Sequence, residues 1–161
     1  MVNLQELVHI SNSKLVSGEI RNLKCTVSTD TRKLSKGDIF IALKGPNFDG
    51  ASFVKKAIEV GVSAVVYNAD SSHLINEEDL RTSTVLIEAT DTLIFLQELG
   101  SKHFELWKSA ENILIGITGS NGKTTTKEML WHVLNSLYKG KVHKTTGNLN
   151  NHIGLPLCLC E

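Results

Sequence analysis

The stretch "NILIGITGSNGKTTTKEML", Asn112 to Leu130, constrains the chain more than any other. A short apolar run enters a turn with glycines at 116, 119 and 122. It leaves as a helix from Lys123 to about Tyr138, with Met129, Leu130, Val133, Leu134 and Leu137 on one apolar face. The strict phosphate-loop pattern asks for Gly, four residues, then Gly-Lys-Ser/Thr. Counting back from Gly122 puts Ile117 where the first glycine should stand, so the pattern is not met letter by letter. Its physical requirements survive: an apolar strand, small flexible residues, and a helix whose first turn carries Lys123, Thr124 and Thr125. In that geometry the amides of Gly119, Ser120, Asn121, Gly122, Lys123 and Thr124 point at phosphate oxygens, and the helix start adds partial positive charge. Lys123 would neutralise the β- and γ-phosphates of ATP, and the Thr124 hydroxyl would face Mg2+. The bland alternative is a glycine-rich strand-to-helix turn without a ligand.

A complete nucleotide site also needs an acidic metal ligand on a later strand. Met129 to Cys160 contains no Asp or Glu, which leaves only Glu161 after the loop helix. A sheet of about 5–6 strands is typical, yet "NILIGIT" and "KVHKTT" are the only strand candidates from residue 111 onward. The expectation is a chain that stops inside its second unit and binds ATP weakly on its own. Unpaired sheet edges there would favour aggregation.

With 161 residues, 41% of them apolar, the chain has room for one domain, or a small domain and part of another. Lys and Arg together number 17, as do Asp and Glu, so no general attraction to nucleic acid or anionic lipid follows. The N-terminus lacks a signal-peptide pattern, and no window approaches the ~18 apolar residues of a membrane span. A cytoplasmic location without membrane insertion is expected. Three cysteines, with Cys25 far from Cys158 and Cys160, do not make a disulfide framework. The C-x-C pair lacks a second pair for zinc, and the spacings of His132, His143 and His152 do not suggest a compact metal site.

Before the glycine-rich turn, strand and helix patterns alternate, which sets the class as α/β. Leu4, Leu7 and Val8 follow a possible Asn3 cap, and the run around Thr26–Ser28 leads into the polar turn "STDTRKLSKGD". "DIFIAL" reads as a strand, "KGPNFDG" as a loop, and Val54, Ala57 and Ile58 as a helix face closed by Gly61. "SAVVY" and "STVLIEA" read as buried strands, and Thr90 or Asp91 caps a helix carrying Leu93, Leu96 and Leu99. After the loop helix, "GNLNNHIGLP" reads as a loop. The architecture is a small N-terminal α/β domain with a mixed sheet, residues 1–110, then the cut-short start of a phosphate-loop α/β domain, residues 111–161.

Three stretches, "STDTRKLSKGDIFIALKGPNFDG", "GITGSNGKTTTKEM" and "TTGNLNNHIGLPL", together resemble the Mur ligases, ATP-dependent amide-forming enzymes of peptidoglycan assembly. The order and spacing of the three fit that family, so the resemblance spans nearly the whole chain. Within it the likeness is strongest to members that join D-alanyl-D-alanine to UDP-N-acetylmuramoyl tripeptide through an acyl phosphate. The sister branch that adds the third amino acid is the alternative. The resemblance implies that Ser28, Thr29, Asp30, Thr31 and Arg32 meet the UDP end of the precursor, with "KGPNFDG" facing them. It also implies that Thr145, Thr146, Asn148, Asn150 and Asn151 lie near the precursor's phosphates. Asp30 and Arg32 can equally tie their turn together, and Asn-rich loops also cap turns without a ligand. Two further readings compete: residues 1 to about 110 as a binding module for the UDP precursor, and an unrelated phosphate-loop kinase or GTPase, which would need an acidic metal ligand soon after the loop helix.

Overall fold

The computed structural model describes residues 1–161 except 110, 148 and 150. In chain order, β1 (Val2–Asn3) runs into a 3-10 helix (Leu4–His9), followed by β2 (Ser13–Ser17), β3 (Lys24–Cys25), β4 (Val27–Ser28) and β5 (Ile39–Ile41). A small hairpin, β6 (Lys44–Gly45) and β7 (Phe48–Asp49), leads through a 3-10 turn (Gly50–Phe53) into α1 (Val54–Val60). Then come β8 (Ala64–Asn68), a 3-10 turn (Ala69–Leu74), α2 (Glu77–Leu80), β9 (Val85–Ala89) and α3 (Thr92–Trp107). Past α3 the described elements are α4 (Lys123–Leu137) and α5 (Gly154–Leu159).

Five strands form the main sheet in the order β2-β9-β8-β5-β4. β4, β5, β8 and β9 pair in parallel, and β2 closes one edge antiparallel to β9 with a register shift between Leu15 and Ser17. The sheet is therefore mixed, as the alternating pattern implies. Strict alternation along each strand sorts side chains to two faces. Ile39, Ile41, Ala64, Val66, Val85 and Ile87 join the core shared with α3 and the first 3-10 helix. Phe40, Val65, Tyr67 and Leu86 pack on the other side with Val54 and Ala57 of α1. Covering both faces explains why the central strands read as unbroken apolar runs.

Caps set the helix boundaries. The Asp91 carboxylate accepts from the amides of Leu93 and Ile94 at 2.7 and 3.1 Å and starts α3. Gly61 adopts the left-handed conformation that ends α1, at φ 85°. Asn3 and Glu6 form a reciprocal capping box, so the first helix begins where the sequence indicates, but it is 3-10 rather than α.

Three expected elements differ. "NILIGIT" forms no strand: Ile113, Leu114 and Ile115 are 80%, 67% and 49% exposed, and no described strand lies beside them to complete a ladder. "KVHKTT" is also irregular, held by side chains of α4 instead of by a sheet. The expected loop "GNLNNHIGLP" becomes helical at Gly154, because Asn151 Oδ1 accepts from the amides of Ile153 and Gly154 at 3.1 and 2.7 Å. The resulting α5 packs on α3, with Gly100 leaving room for Pro156 and Cys160 entering the core beside Leu4 and Leu7.

Candidate functional site

The end of β4 and the start of α1 frame a cleft of about 450 Å³ beside the sheet. One wall is the turn after β4, where Thr29, Asp30, Thr31 and Arg32 line the opening. The opposite wall comes from the hairpin and the 3-10 turn, with Phe48, Gly50 and Phe53, and Lys56 of α1 closes the end. Ser28 does not line the cleft; its hydroxyl accepts from the Asp30 amide at 3.2 Å and fixes the turn.

Asp30 and Arg32 form a bidentate pair. Asp30 accepts from the Arg32 backbone amide, Nε and Nη2 at 3.0, 2.9 and 2.8 Å. Arg32 beside it holds the Asp30 carboxyl well below the usual carboxylate range. The turn-tying role is thus realised, yet the Arg32 side chain is 83% exposed and remains at the cleft wall. One guanidinium can keep its partner and still offer an N–H to an anion.

Asp49 anchors the facing wall. It accepts from the Ala51 amide at 2.9 Å and from Ser71 Oγ at 2.5 Å, and Lys44 stands 3.6 Å away. Burial pushes its carboxyl up, but these donors and the Lys44 charge outweigh that and leave it below its ordinary value. Gly50 is required by space: a Cβ there would lie 2.6 Å from the Leu43 carbonyl oxygen. Phe48 and Phe53 are therefore presented outward, 59% and 44% exposed, as apolar surfaces a planar ring can cover. Phe53 and Lys56 lie beyond every quoted sequence stretch, and only the 3-10 turn and α1 bring them opposite residues 29–32.

The glycine-rich turn forms the second part. Gly119 and Gly122 take φ values of 147° and 78°, and Gly122 caps α4 without a side-chain bond. Among the described residues, none of the backbone N–H groups from Gly119 to Thr125 donates to a protein acceptor. Lys123 Nζ folds back onto the carbonyls of Gly119 and Ser120, crossing the space those amides border. A row of free amides, a helix start and a lysine are groups that could hold an anion such as a nucleotide phosphate. Thr124 and Thr125 sit in the first turn, as expected.

α4 also carries the segment that follows it. Lys127 Nζ donates to the Thr145 carbonyl at 2.6 Å and to that of Gly147 at 3.5 Å. Lys144 pairs with Glu128 and lies 3.8 Å over the Trp131 ring, whose Nε1 donates to Val142. Thr145 is thereby tied to the helix that starts at the phosphate cradle. Asn148 and Asn150 lie outside the described residues, and the Asn151 side chain is engaged with the amides of Ile153 and Gly154 at the start of α5. Glu161 faces His143, at 3.0 Å from its Nε2.

Known proteins share the sequence and the fold that carry these features. The description "Mur ligase family, catalytic domain" matches residues 26–104, and "Mur ligase middle domain" matches residues 117–161. The chain belongs to the Mur ligase family. The UDP-N-acetylmuramoyl-tripeptide–D-alanyl-D-alanine ligase of Bacillus subtilis is 47% identical over 81% of this chain and 26% of its own length. The UDP-N-acetylmuramoyl-L-alanyl-D-glutamate–2,6-diaminopimelate ligase of Vibrio cholerae is 34% identical over 88% of this chain and 27% of its own. Among solved structures, MurF from Acinetobacter baumannii superposes with a TM-score of 0.77 at 31% identity, over 99% of this chain and 32% of that one. MurF ligase from Thermotoga maritima in complex with ADP gives 0.66 at 29% identity, over 85% and 29%. The chain spans about a quarter to a third of the length of the proteins it matches.

Proposed function

We propose that this chain supplies the precursor cleft and the phosphate cradle of a ligase that joins D-alanyl-D-alanine to UDP-N-acetylmuramoyl tripeptide. The carrying observation is the 47% identity to a ligase of that name across both parts of the site. The geometry supports the reading: Phe48 and Phe53 offer a face for a uracil ring, and Arg32 and Lys56 offer charge to a diphosphate. The free amides of Gly119 to Thr125 would hold ATP phosphates, as the ADP-bound Thermotoga relative suggests. Thr124 would face Mg2+. ATP, when bound, supplies the phosphoryl group that converts a poorly electrophilic carboxylate into an acyl phosphate. This chain's contribution is orientation and charge: Lys123 leaves its carbonyl partners for phosphate oxygens, and Lys127 holds Thr145 in register with the cradle. The cytoplasm is the proposed location, and no described helix is long and apolar enough to cross a membrane. Residues 1–110 and 111–161 are proposed as the two domain portions.

The likeness to diaminopimelate-adding ligases favours a second reading, in which the substrate is the shorter dipeptide precursor. Parallel calorimetric titrations with the UDP-muramoyl tripeptide and dipeptide separate the two. Tighter binding of the tripeptide form supports the D-alanyl-D-alanine branch, and tighter binding of the dipeptide form supports its sister. Absence of heat with both, at millimolar precursor, overturns the cleft assignment.

A further inference from the structure

We propose that His143, Cys158 and Glu161 form a binding site for one thiophilic divalent cation of the zinc type. His143 Nε2 lies 3.4 Å from Cys158 Sγ and 3.0 Å from Glu161 Oε2, and one donor atom from each residue falls within 4.8 Å of the others. Zinc bonds of roughly 2.0–2.3 Å in tetrahedral array place neighbouring ligand atoms about 3.3–3.6 Å apart. The three donors already stand within a few tenths of an ångström of two of those separations.

Hydrogen bonding to His143 Nε2 serves one of its two neighbours at a time. The single His143 Nε2 faces a thiol sulfur and a carboxylate oxygen together. As an N–H it donates to the carboxylate, and as a lone pair it accepts from the thiol. A cation at the centre satisfies all three donors. The fold brings them together by simple means: Cys158 sits in the last turn of α5 and Glu161 follows three residues on, just past its end. His143 arrives on the irregular run that Trp131 and Lys127 hold against α4. The His143 and Glu161 side chains are 57% and 41% exposed, so a metal can enter and keep a water as fourth ligand. Cys160, two residues away, is buried in the core and takes no part.

Binding releases the Cys158 thiol proton to solvent as the sulfur–metal bond forms. Burial and Glu161 hold that thiol above its ordinary value, while the nearby Lys127 charge acts in the opposite sense. The site is independent of the ligase reading, since none of its donors belongs to the cleft or the cradle.

The test is titration of the reduced, metal-free 161-residue protein with cobalt(II). The expected result is one cobalt per chain, near-ultraviolet thiolate-to-cobalt charge transfer, visible bands of four-coordinate cobalt, and displacement by zinc(II). Cys158→Ser should abolish the charge-transfer band. His143→Gln and Glu161→Gln should each weaken binding at least about tenfold, and Cys25→Ser should leave it intact. Far-ultraviolet dichroism verifies that each variant is folded. No band at millimolar cobalt, a band that persists in Cys158→Ser, or unchanged affinity in His143→Gln would overturn the assignment.

Discussion

Gly50 and Asp49 set the shape of the cleft from adjacent positions. Adding a methyl group at Gly50 drives it into the Leu43 carbonyl and the Ala42 backbone. Gly50→Ala should cost about 1–3 kcal/mol of stability, the range for overpacked sites, measured by urea unfolding. Asp49 acts through charge. Its carboxyl is held below its ordinary value in the fold, so its contribution is present above the unfolded pKa and lost as pH falls through the folded one. Asp49→Asn should therefore be less stable than the parent at pH 7, and the gap should narrow below about pH 4; thermal melts across that range check it. At this scale the glycine-rich turn and the helix start after it were legible in the sequence, because both are local and the glycines and Lys123 are neighbours along the chain. The cleft was half legible. Residues 28–32 announce a polar turn, but no spacing rule links them to Phe53 and Lys56, which meet them only after the hairpin and α1 have folded. His143 and Cys158 escaped for the same reason, being joined by a packing of α5 that no periodicity reveals.

The elements of the sheet core followed from pattern: three buried strands, β5, β8 and β9, and their helices lie where apolar runs, Asp91 and Gly61 put them. The polar edge strand β2 carried no such signal, since Leu15 and Val16 are half exposed and only pairing with β9 makes the segment a strand. Residues 113–118 show the converse, strand propensity without a neighbouring strand to realise it. α5 is the most consequential unforeseen element. Its contact with α3 passes through Gly100, where a Cβ would sit 3.0 Å from Pro156. Gly100→Leu should push α5 away while leaving the sheet intact. Hydrogen exchange should then show faster exchange in residues 154–159 and unchanged protection in β8 and β9; protected α5 amides would refute the role given to that contact.

Across the whole molecule, apolar surface is distributed unevenly. Met129, Val133 and Leu137 fall on one face of α4 and are 66%, 58% and 70% exposed, and the run Ile113–Ile115 is exposed as well. Such a stripe favours association, so sedimentation should show reversible, concentration-dependent self-association. Met129→Glu with Val133→Glu should shift the protein toward monomer. The cleft lies beside the five-stranded sheet, apart in sequence from this stripe, and the central claim is that it binds the UDP end of a peptidoglycan precursor. Calorimetric titration of UDP-N-acetylmuramoyl tripeptide into the parent chain, Lys56→Ala and Lys123→Ala tests it most directly. The account predicts saturable binding that UDP competes away, weakened about tenfold or more in Lys56→Ala, the scale of a lost charge-assisted bond, and unchanged in Lys123→Ala. Binding that ignores Lys56, or that disappears with Lys123, would contradict it.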